Sequence, residues 1–406
     1  MLAMNENPLD PEALAALEQQ LAQVEALFQE GSLEAGFDRV QFLLKDIEDL
    51  ATPGNASLRD LEFRARMMCI VGLSKLDRFE EVLREGARML DLVSLDQPSS
   101  QRAQLMTQLA FAHTQCGMSE QALRAAHVAM QDGLLLQDRL LTAQALERVA
   151  MTYFFMGDGP AAERFMFEAL GYMDQHSPLY ERIRRFSNAL HLSCSLHDMY
   201  LEAELPHLAQ AILRKVDGFV PEAEALAPGL AGDYIVYMLR ANLARWHRRC
   251  GRQQLARGAF LDALAKSESA GWYAVRRPVL LELALMADEQ GDAQTALDLL
   301  TRVFEPGELR VRDVVAMPTY RALERLYRAS EQADLAKVAQ QGLASRLARR
   351  DQAAQAVQAQ LPQLSTRIVE ALAEADSARL DEVIRSLREQ RRQGKGLKPP
   401  DQSWLG

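Results

Sequence analysis

Four glycines share a register that constrains the fold of this chain more than any other feature of its sequence. Each follows an alanine by seven residues and precedes another alanine by five, and within each pair of glycines the spacing is 40 residues. The four are Gly117, Gly157, Gly251 and Gly291. A fixed period between about 20 and 50 residues is typical of a solenoid, in which each unit buries its apolar face only against its neighbours. The sequence therefore predicts an array of repeats that presents a long surface.

The composition favours helices as the building blocks of this array. Hydrophobic residues make up 48% of the 406 residues and charged residues 25%, whereas aromatic residues make up only 6%. Abundant Ala, Leu, Glu, Gln and Arg are typical of packed amphipathic helices. Glycine relieves the steric strain of a tight turn between two such helices. We therefore predict an all-α fold, a superhelical solenoid of antiparallel helix pairs.

The residues around each glycine extend the pattern. In the first unit they are Leu109, Ala110, His113, Gly117 and Ala122, and the other three units repeat this order with Tyr153, His247 or Ala287 at the histidine position. The pattern resembles the tetratricopeptide repeat (TPR), which pairs a Leu-Gly/Ala and a Tyr on the first helix with an Ala on the second.

Weaker units extend the resemblance over about residues 60–345, with expected turns at Asp77, His197 and Glu331. The period near 40 is longer than the usual period of about 34 residues. In this respect the chain is similar to the helical-repeat regions of bacterial signalling proteins.

The same pattern divides the chain into four segments. Residues 1–60 are expected to form an N-terminal helical cap or a divergent repeat, and residues 61–345 the TPR-like array. Within the array the phase slips near residues 215–234, where prolines and glycines favour a loop or a short extra helix. A C-terminal helical arm is expected at 346–393 and a disordered tail at 394–406.

The resemblance also implies which residues face a ligand, because the first helix of each TPR pair lines the concave groove. It predicts an apolar floor formed by Phe111, Met151, Phe154 and Phe155. It predicts a basic wall formed by Arg245, Arg248, Arg249, Arg321, Arg325 and Arg328. Arginine holds carboxylates and phosphates bidentately, so such a wall suits an anionic peptide or ligand. The alternatives are a solvated or acid-paired face for the arginines and ordinary core packing for the phenylalanines.

Neither a metal site nor an active site is expected. Three His-x-x-Cys pairs occur, at His113, His191 and His247, but they lie on different repeats, and structural zinc requires four ligands. Core packing is therefore the expected role of these residues. The sequence contains no GxSxG, no Walker A and no GxGxxG after a strand. We therefore expect a protein that is not an enzyme and uses no cofactor.

Two functions remain open at this point. The first is an interaction scaffold or adaptor that binds a partner peptide in the concave groove. The alternative is a cytosolic sensor or regulator that binds a small anionic ligand or signalling peptide and transmits a change of curvature through its C-terminal helices. Isolated cysteines, a start unlike a signal peptide and no apolar run of about 18 residues predict a cytoplasmic protein.

The expected partner is another protein or peptide, with acidic groups suited to the basic wall. A net charge of −10 argues against nucleic acid, and no membrane partner is expected. Apolar residues at near-helical spacing in the C-terminal arm would allow a homodimer. These residues are Leu361, Leu364, Ile368, Leu372, Leu380, Ile384 and Leu387.

Overall fold

Helices build the described part of the chain. The computed structural model describes residues 11–50, 56–94, 97–174, 176–228, 234–305, 307 and 311–358, and no strand is found in these ranges. The helices, numbered in chain order, are α1 Pro11–Glu30, α2 Leu33–Leu50, α3 Ala56–Lys75, α4 Phe79–Met89, α5 Ser100–Gln115, α6 Ser119–Leu135, α7 Arg139–Phe155, α8 Gly159–Gly171, α9 Leu179–Glu202, α10 Pro206–Asp217, α11 Val220–Leu226, α12 Tyr234–Arg249, α13 Gln253–Ala270, α14 Tyr273–Glu289, α15 Ala293–Val303, α16 Asp313–Ala329 and α17 Ala333–Gln358. The predicted all-α class is confirmed.

Tight turns join these helices into antiparallel pairs. The pairs are α1/α2, α3/α4, α5/α6, α7/α8, α9/α10, α12/α13, α14/α15 and α16/α17. Apart from α10, which is followed by the short helix α11, second helices pack against the first helix of the following pair, and first helices of successive pairs also touch. Buried alanines such as Ala110, Ala150 and Ala244 allow this close approach. The predicted solenoid of antiparallel helix pairs is confirmed.

One residue with a left-handed backbone ends the first helix of every pair. In the α5/α6 pair this residue is Gly117, with φ of 75°. The N–H of Met118 donates back to the carbonyl of His113 at 2.8 Å. This is the Schellman arrangement, which satisfies carbonyls at a helix end. The left-handed residues inside the pairs are Gly31, Asp77, Gly117, Gly157, Glu204, Gly251, Gly291 and Glu331.

The turn expected at His197 is wrong. Helix α9 continues through that residue, and the left-handed residue is Glu204, with φ of 60°. From Asp77 onward the turn residues therefore lie 40 residues apart, except for two steps of 47 residues on either side of Glu204. Seven residues correspond to about two helical turns. The phase slip is thus shared between a lengthened α9/α10 pair and the segment after it, where the short helix α11 lies.

The N-terminal helix pair touches residues from far along the chain. Helices α1 and α2 pack on α3. Trp272, at the turn before α14, is fully buried, and its indole Nε1 donates to the carbonyl of Gly31 at 2.8 Å. Its ring meets Tyr234 edge to face, with 5.6 Å between the centroids. The beginning of the array is therefore fastened to its later pairs.

A second long-range contact involves the buried turn residue Asp77. Its carboxylate accepts hydrogen bonds from Arg277 Nη1 at 3.4 Å and from Arg312 Nε at 2.7 Å. These partners follow Asp77 by 200 and 235 residues. We refer to Asp77, Arg277 and Arg312 as the closure triad, because they join the α3/α4 turn to α14 and to the start of α16.

Helix α17 contains the start of the expected C-terminal arm and runs to Gln358. The remainder of the arm, including the seven residues expected to support a homodimer, lies outside the described residues, as does the expected tail at 394–406. No described helix combines the length and apolar character needed to cross a membrane.

Replacing Gly31 by alanine is expected to destabilise the protein much more than replacing Gly117 by alanine. Both positions have positive φ, which costs an alanine about 1–2 kcal/mol. A Cβ on Gly31 would also overlap the indole of Trp272, whereas one on Gly117 would meet no atom within 4 Å. We therefore expect Gly31→Ala to lose about 2 kcal/mol more than Gly117→Ala in thermal unfolding. Equal losses would show that Trp272 does not pack on Gly31.

Candidate ligand-binding cavity

The first helices of the pairs enclose a cavity of about 350 Å³. We call it the central cavity. Its lining residues come from α3, α5, α7, α9, α12, α14 and the start of α16. They include Gln108, Phe111, Gln115, Arg148, Met151 and Arg312. Since a cavity of a few hundred Å³ is the usual size for a ligand site, this volume is large enough for part of a peptide.

Two further cavities adjoin the central one. The second cavity, of about 130 Å³, shares Gln115 and Val314 with it. The third, of about 1020 Å³, shares five lining residues with it, among them Lys75 and Tyr234. A ligand longer than the central cavity could therefore extend into a neighbouring one.

Helix α5 contributes one wall of the central cavity. Gln108, Phe111 and Gln115 are spaced by three and four residues, so they share one face of the helix. All three are half-buried. Within the described part of the chain, neither glutamine carboxamide has a hydrogen-bond partner. Each carboxamide therefore keeps both its donors and its acceptor for a ligand.

Glu147 on α7 is a buried carboxylate of the cavity wall. It accepts hydrogen bonds from Arg184 at 2.8 Å, from Arg185 at 3.0 Å and from Asn188 at 3.1 Å. Burial tends to raise the pKa of this carboxyl, but the charges of Arg184 and Arg185 hold the pKa below its usual value. Glu147 is therefore ionised, and its charge is already matched by protein groups.

Arg148 differs from the arginines around it. Its guanidinium lies over the ring of Phe111, 4.7 Å from the centroid. Its Nε is buried without a hydrogen-bond partner, and among the described residues it forms no ion pair. Burial and the nearby charge of Arg184 lower the pKa of Arg148 to about 10, although Glu147 acts in the opposite sense.

Three of the arginines predicted for the basic wall are acid-paired, and their side chains are at most 9% exposed. Arg245, Arg248 and Arg249 on α12 contact the carboxylate of Glu282 on α14 at 2.9, 2.6 and 2.8 Å. We call these four residues the arginine cluster. Burial favours the neutral form of Glu282, but the three guanidinium charges outweigh it and hold its pKa far below the usual range.

Further acids complete the pairing of the arginine cluster. Arg249 also contacts Asp198 at 2.5 Å, and Arg248 contacts Glu289. His191 Nδ1 accepts a hydrogen bond from Arg245 at 2.9 Å, because a guanidinium can only donate. Burial and the charge of Arg245 lower the pKa of His191 to about 3, so this histidine is neutral. The acid-paired alternative that the sequence left open describes these three arginines.

The remaining predicted residues are spread over different places. Phe111 and Met151 line the central cavity, whereas Phe154 and Phe155 line the second cavity and touch each other edge to face. Arg245 and Arg249 reach the second cavity as well. The predicted residues are thus not gathered at one site, and their part in ligand binding stays a prediction.

The arginines of α16 are more exposed than those of the arginine cluster. Arg321 lines the second cavity and pairs with Glu202. Arg325 pairs with Asp288 of α14, and Arg328 pairs with Glu324 one turn earlier. Exposed pairs of this kind contribute little to stability, so each arginine can exchange its acid for one on a partner.

The three His-x-x-Cys pairs gather no metal-binding group. No set of three or more His, Cys, Asp or Glu side chains suited to a metal ion occurs in the described ranges. All four cysteines are free thiols. Burial raises the pKa of the Cys194 thiol to about 11, so this thiol is protonated and unreactive.

A register signal could have revealed the polar residues of the inner wall. The residue nine positions before each marker glycine is polar in all four units: Gln108, Arg148, Asn242 and Glu282. Each lies on a first helix, and the first three line the central cavity. The groove positions implied by the TPR resemblance do not include this position, so the prediction missed Gln108 and Arg148 as cavity residues.

Comparison with solved structures finds distant likenesses. The chain is similar to a Rap protein complexed with competence and sporulation factor, with 15% identity, 88% of this chain and 99% of that chain covered, and a TM-score of 0.47. It is also similar to the apo form of RapI, with 14% identity, 94% and 100% covered, and a TM-score of 0.43. No protein-family model and no curated protein sequence matches the chain. The helix pairs of this chain are TPR-like in their own geometry.

Proposed function

We propose that this chain is a non-enzymatic scaffold or adaptor that binds a peptide segment of a partner in its central cavity. One observation carries the proposal: Gln108 and Gln115 present unpaired carboxamides on either side of Phe111, inside a cavity formed by the first helices. A carboxamide can donate to and accept from a peptide group at once. Two of them on one helix face suit an extended backbone.

The apolar residues of the cavity supply anchoring surface. Phe111 and Met151 face the same cavity from adjacent helices, and Phe111 is only half-buried in the free chain. A ligand side chain placed there would bury aromatic and thioether surface that now faces the cavity. Such central anchors carry most of the free energy of binding in interfaces. Backbone hydrogen bonds then fix the direction and register of the peptide.

A longer partner segment would continue into the second cavity. Phe154 and Phe155 offer apolar contacts there, and Arg321, with its exposed acid pair, offers a charge to an acidic residue of the partner. Arg325 and Arg328 lie farther along the same helix, outside the cavity, and can attract acidic residues of the partner in the same way. Electrostatic attraction of this kind weakens as salt concentration rises.

The closure triad favours a second function, a sensor that changes curvature on binding. Asp77, Arg277 and Arg312 line the central cavity and also join distant parts of the array. A ligand that contacts them would bias the closed arrangement over an open one. We propose the cytoplasm as its location, because four dispersed free thiols suit a reducing compartment.

Affinity selection from a mixture of random hexapeptides, read by mass spectrometry, tests the peptide-binding proposal. The wild-type chain is expected to retain a restricted set of peptides. Phe111→Ala is expected to weaken their binding about tenfold, since it removes a central anchor. Phe42→Ala is the matched control, because Phe42 is 63% exposed on α2 and outside the cavity. Failure of the wild type to retain any peptide, or equal retention by Phe111→Ala, would contradict the proposal.

A further inference from the structure

We propose that the ligand of the central cavity presents a carboxylate to Arg148. This inference rests on the proposed function and names the chemistry of the bound peptide. The carboxylate is either that of an Asp or Glu side chain or the free C-terminus of the peptide. In the bound state it would lie against the guanidinium of Arg148, beside the ring of Phe111.

The position of Arg148 makes it accessible to a ligand and poorly solvated without one. It extends from α7 into the cavity and stacks on Phe111 of α5. Its buried Nε has no hydrogen-bond partner. A guanidinium has five N–H donors in a rigid fork, which matches the two oxygens of a carboxylate. The stacked face is occupied by Phe111, so a ligand would approach the edge.

The other arginines of the cavity wall already have acidic partners, and Lys75 lies over the rings of Phe28 and Tyr234. Arg184 contacts Glu147 and Glu181 at 2.8 and 2.7 Å. Arg277 and Arg312 share Asp77. Arg148 is the arginine of this wall that has no such pair within the described residues.

The charge of the wall points to an anion. Five cations line the central cavity, Lys75, Arg148, Arg184, Arg277 and Arg312, against three acids, Asp77, Glu147 and Glu181. The wall therefore carries an excess of positive charge, although the whole chain has a formal charge of −10. An unmatched charge in a poorly solvated cavity is costly, and an opposite charge on the ligand offsets that cost.

A carboxylate fits this excess better than a phosphate does. A phosphate monoester carries close to two negative charges at neutral pH. Glu147 and Glu181 lie on the same wall and would repel the second charge. A carboxylate brings one charge and two acceptor oxygens, which one guanidinium can satisfy.

In the free protein, the charge of Arg148 is expected to lower stability. Arg148→Met keeps a long side chain over Phe111 but removes the unpaired charge. The midpoint of thermal unfolding of this variant, measured without peptide, should rise above that of the wild type. A lower midpoint for Arg148→Met than for the wild type would instead indicate that Arg148 has a structural partner, and would overturn the proposal.

Peptides retained by the wild-type chain provide the probes for the binding test. Each is synthesised in three forms: unmodified, with an amidated C-terminus, and with Asp or Glu replaced by Asn or Gln. We expect one neutralised form to bind the wild type at least about tenfold more weakly than the unmodified peptide. Which form weakens identifies the source of the carboxylate.

Two variants complete the design. Arg148→Met should bind the unmodified and neutralised forms with equal affinity. Arg124→Met should discriminate as the wild type does, because Arg124 is an exposed arginine that pairs with Glu120 on α6. Equal binding of all forms by the wild type, or discrimination kept by Arg148→Met, overturns this inference and leaves the proposed function standing. Retention of no peptide overturns both.

Discussion

Replacing Glu282 by alanine is expected to lower the free energy of unfolding by about 3–5 kcal/mol. Its carboxylate is the common partner of Arg245, Arg248 and Arg249, whose side chains are at most 9% exposed. Without Glu282 these three guanidinium groups remain buried together and repel one another. Thermal and denaturant unfolding followed by circular dichroism measures the loss. Hydrogen exchange should show that α12 and α14 lose protection first.

Glu289→Ala is the matched control for this prediction. Glu289 contacts Arg248 from the same helix as Glu282, but its side chain is 54% exposed. An exposed pair of this kind contributes at most about 1 kcal/mol. Similar losses for Glu282→Ala and Glu289→Ala would mean that the arginine cluster does not stabilise the array, and that its arginines are available to a ligand after all.

Replacing Asp77 by asparagine is expected to open the array as well as destabilise it by about 3–4 kcal/mol. The substitution removes the charge that Arg277 and Arg312 share, and the side chain of Asp77 is 3% exposed. Asparagine tolerates the left-handed backbone at this position, so the turn itself should persist. Small-angle scattering should therefore report a larger radius of gyration, and unfolding experiments a lower stability.

Glu331→Asn provides the control for the opening of the array. Glu331 occupies the corresponding left-handed turn of the α16/α17 pair, with φ of 60°, and it is exposed. It forms no ion pair within the described part of the chain. This variant should keep the radius of gyration of the wild type. An unchanged radius for Asp77→Asn would contradict the role of the closure triad.

The pairing of helices could be predicted from the sequence because most turns inside the pairs require a residue type that is recognisable in the sequence. A left-handed turn favours glycine, so the marker glycines located four turns directly, and their period located Asp77 and Glu331. Glu204 was not located, since glutamate gives no such signal and the period changes on both sides of it. Hence the pairing of helices followed from the sequence, while the length of α9 did not.

The long-range contacts could not be predicted in this way. Trp272 meets Gly31 across 241 residues, and Arg312 meets Asp77 across 235. Those contacts depend on the rotation between successive helix pairs, and this rotation accumulates over the array. Without that rotation the sequence could not show that the first helices enclose a cavity.

The candidate site was predictable only in part for a related reason. Helical spacing correctly suggested that Arg245, Arg248 and Arg249 share a neighbourhood, but the acid that neutralises them lies on the next first helix. Arg148, by contrast, was not predicted as a site residue, yet it lines the central cavity. Its sequence context resembles that of any helical arginine, and only the structure shows that it forms no ion pair among the described residues while the arginines around it do.

The most direct test of the central claim is a crystal structure of the wild-type chain with the most strongly retained hexapeptide. We predict that the peptide lies in the central cavity. Its backbone should hydrogen-bond to Gln108 and Gln115, and one of its side chains should pack on Phe111. A peptide bound elsewhere on the helix pairs, with the central cavity empty, would contradict the account.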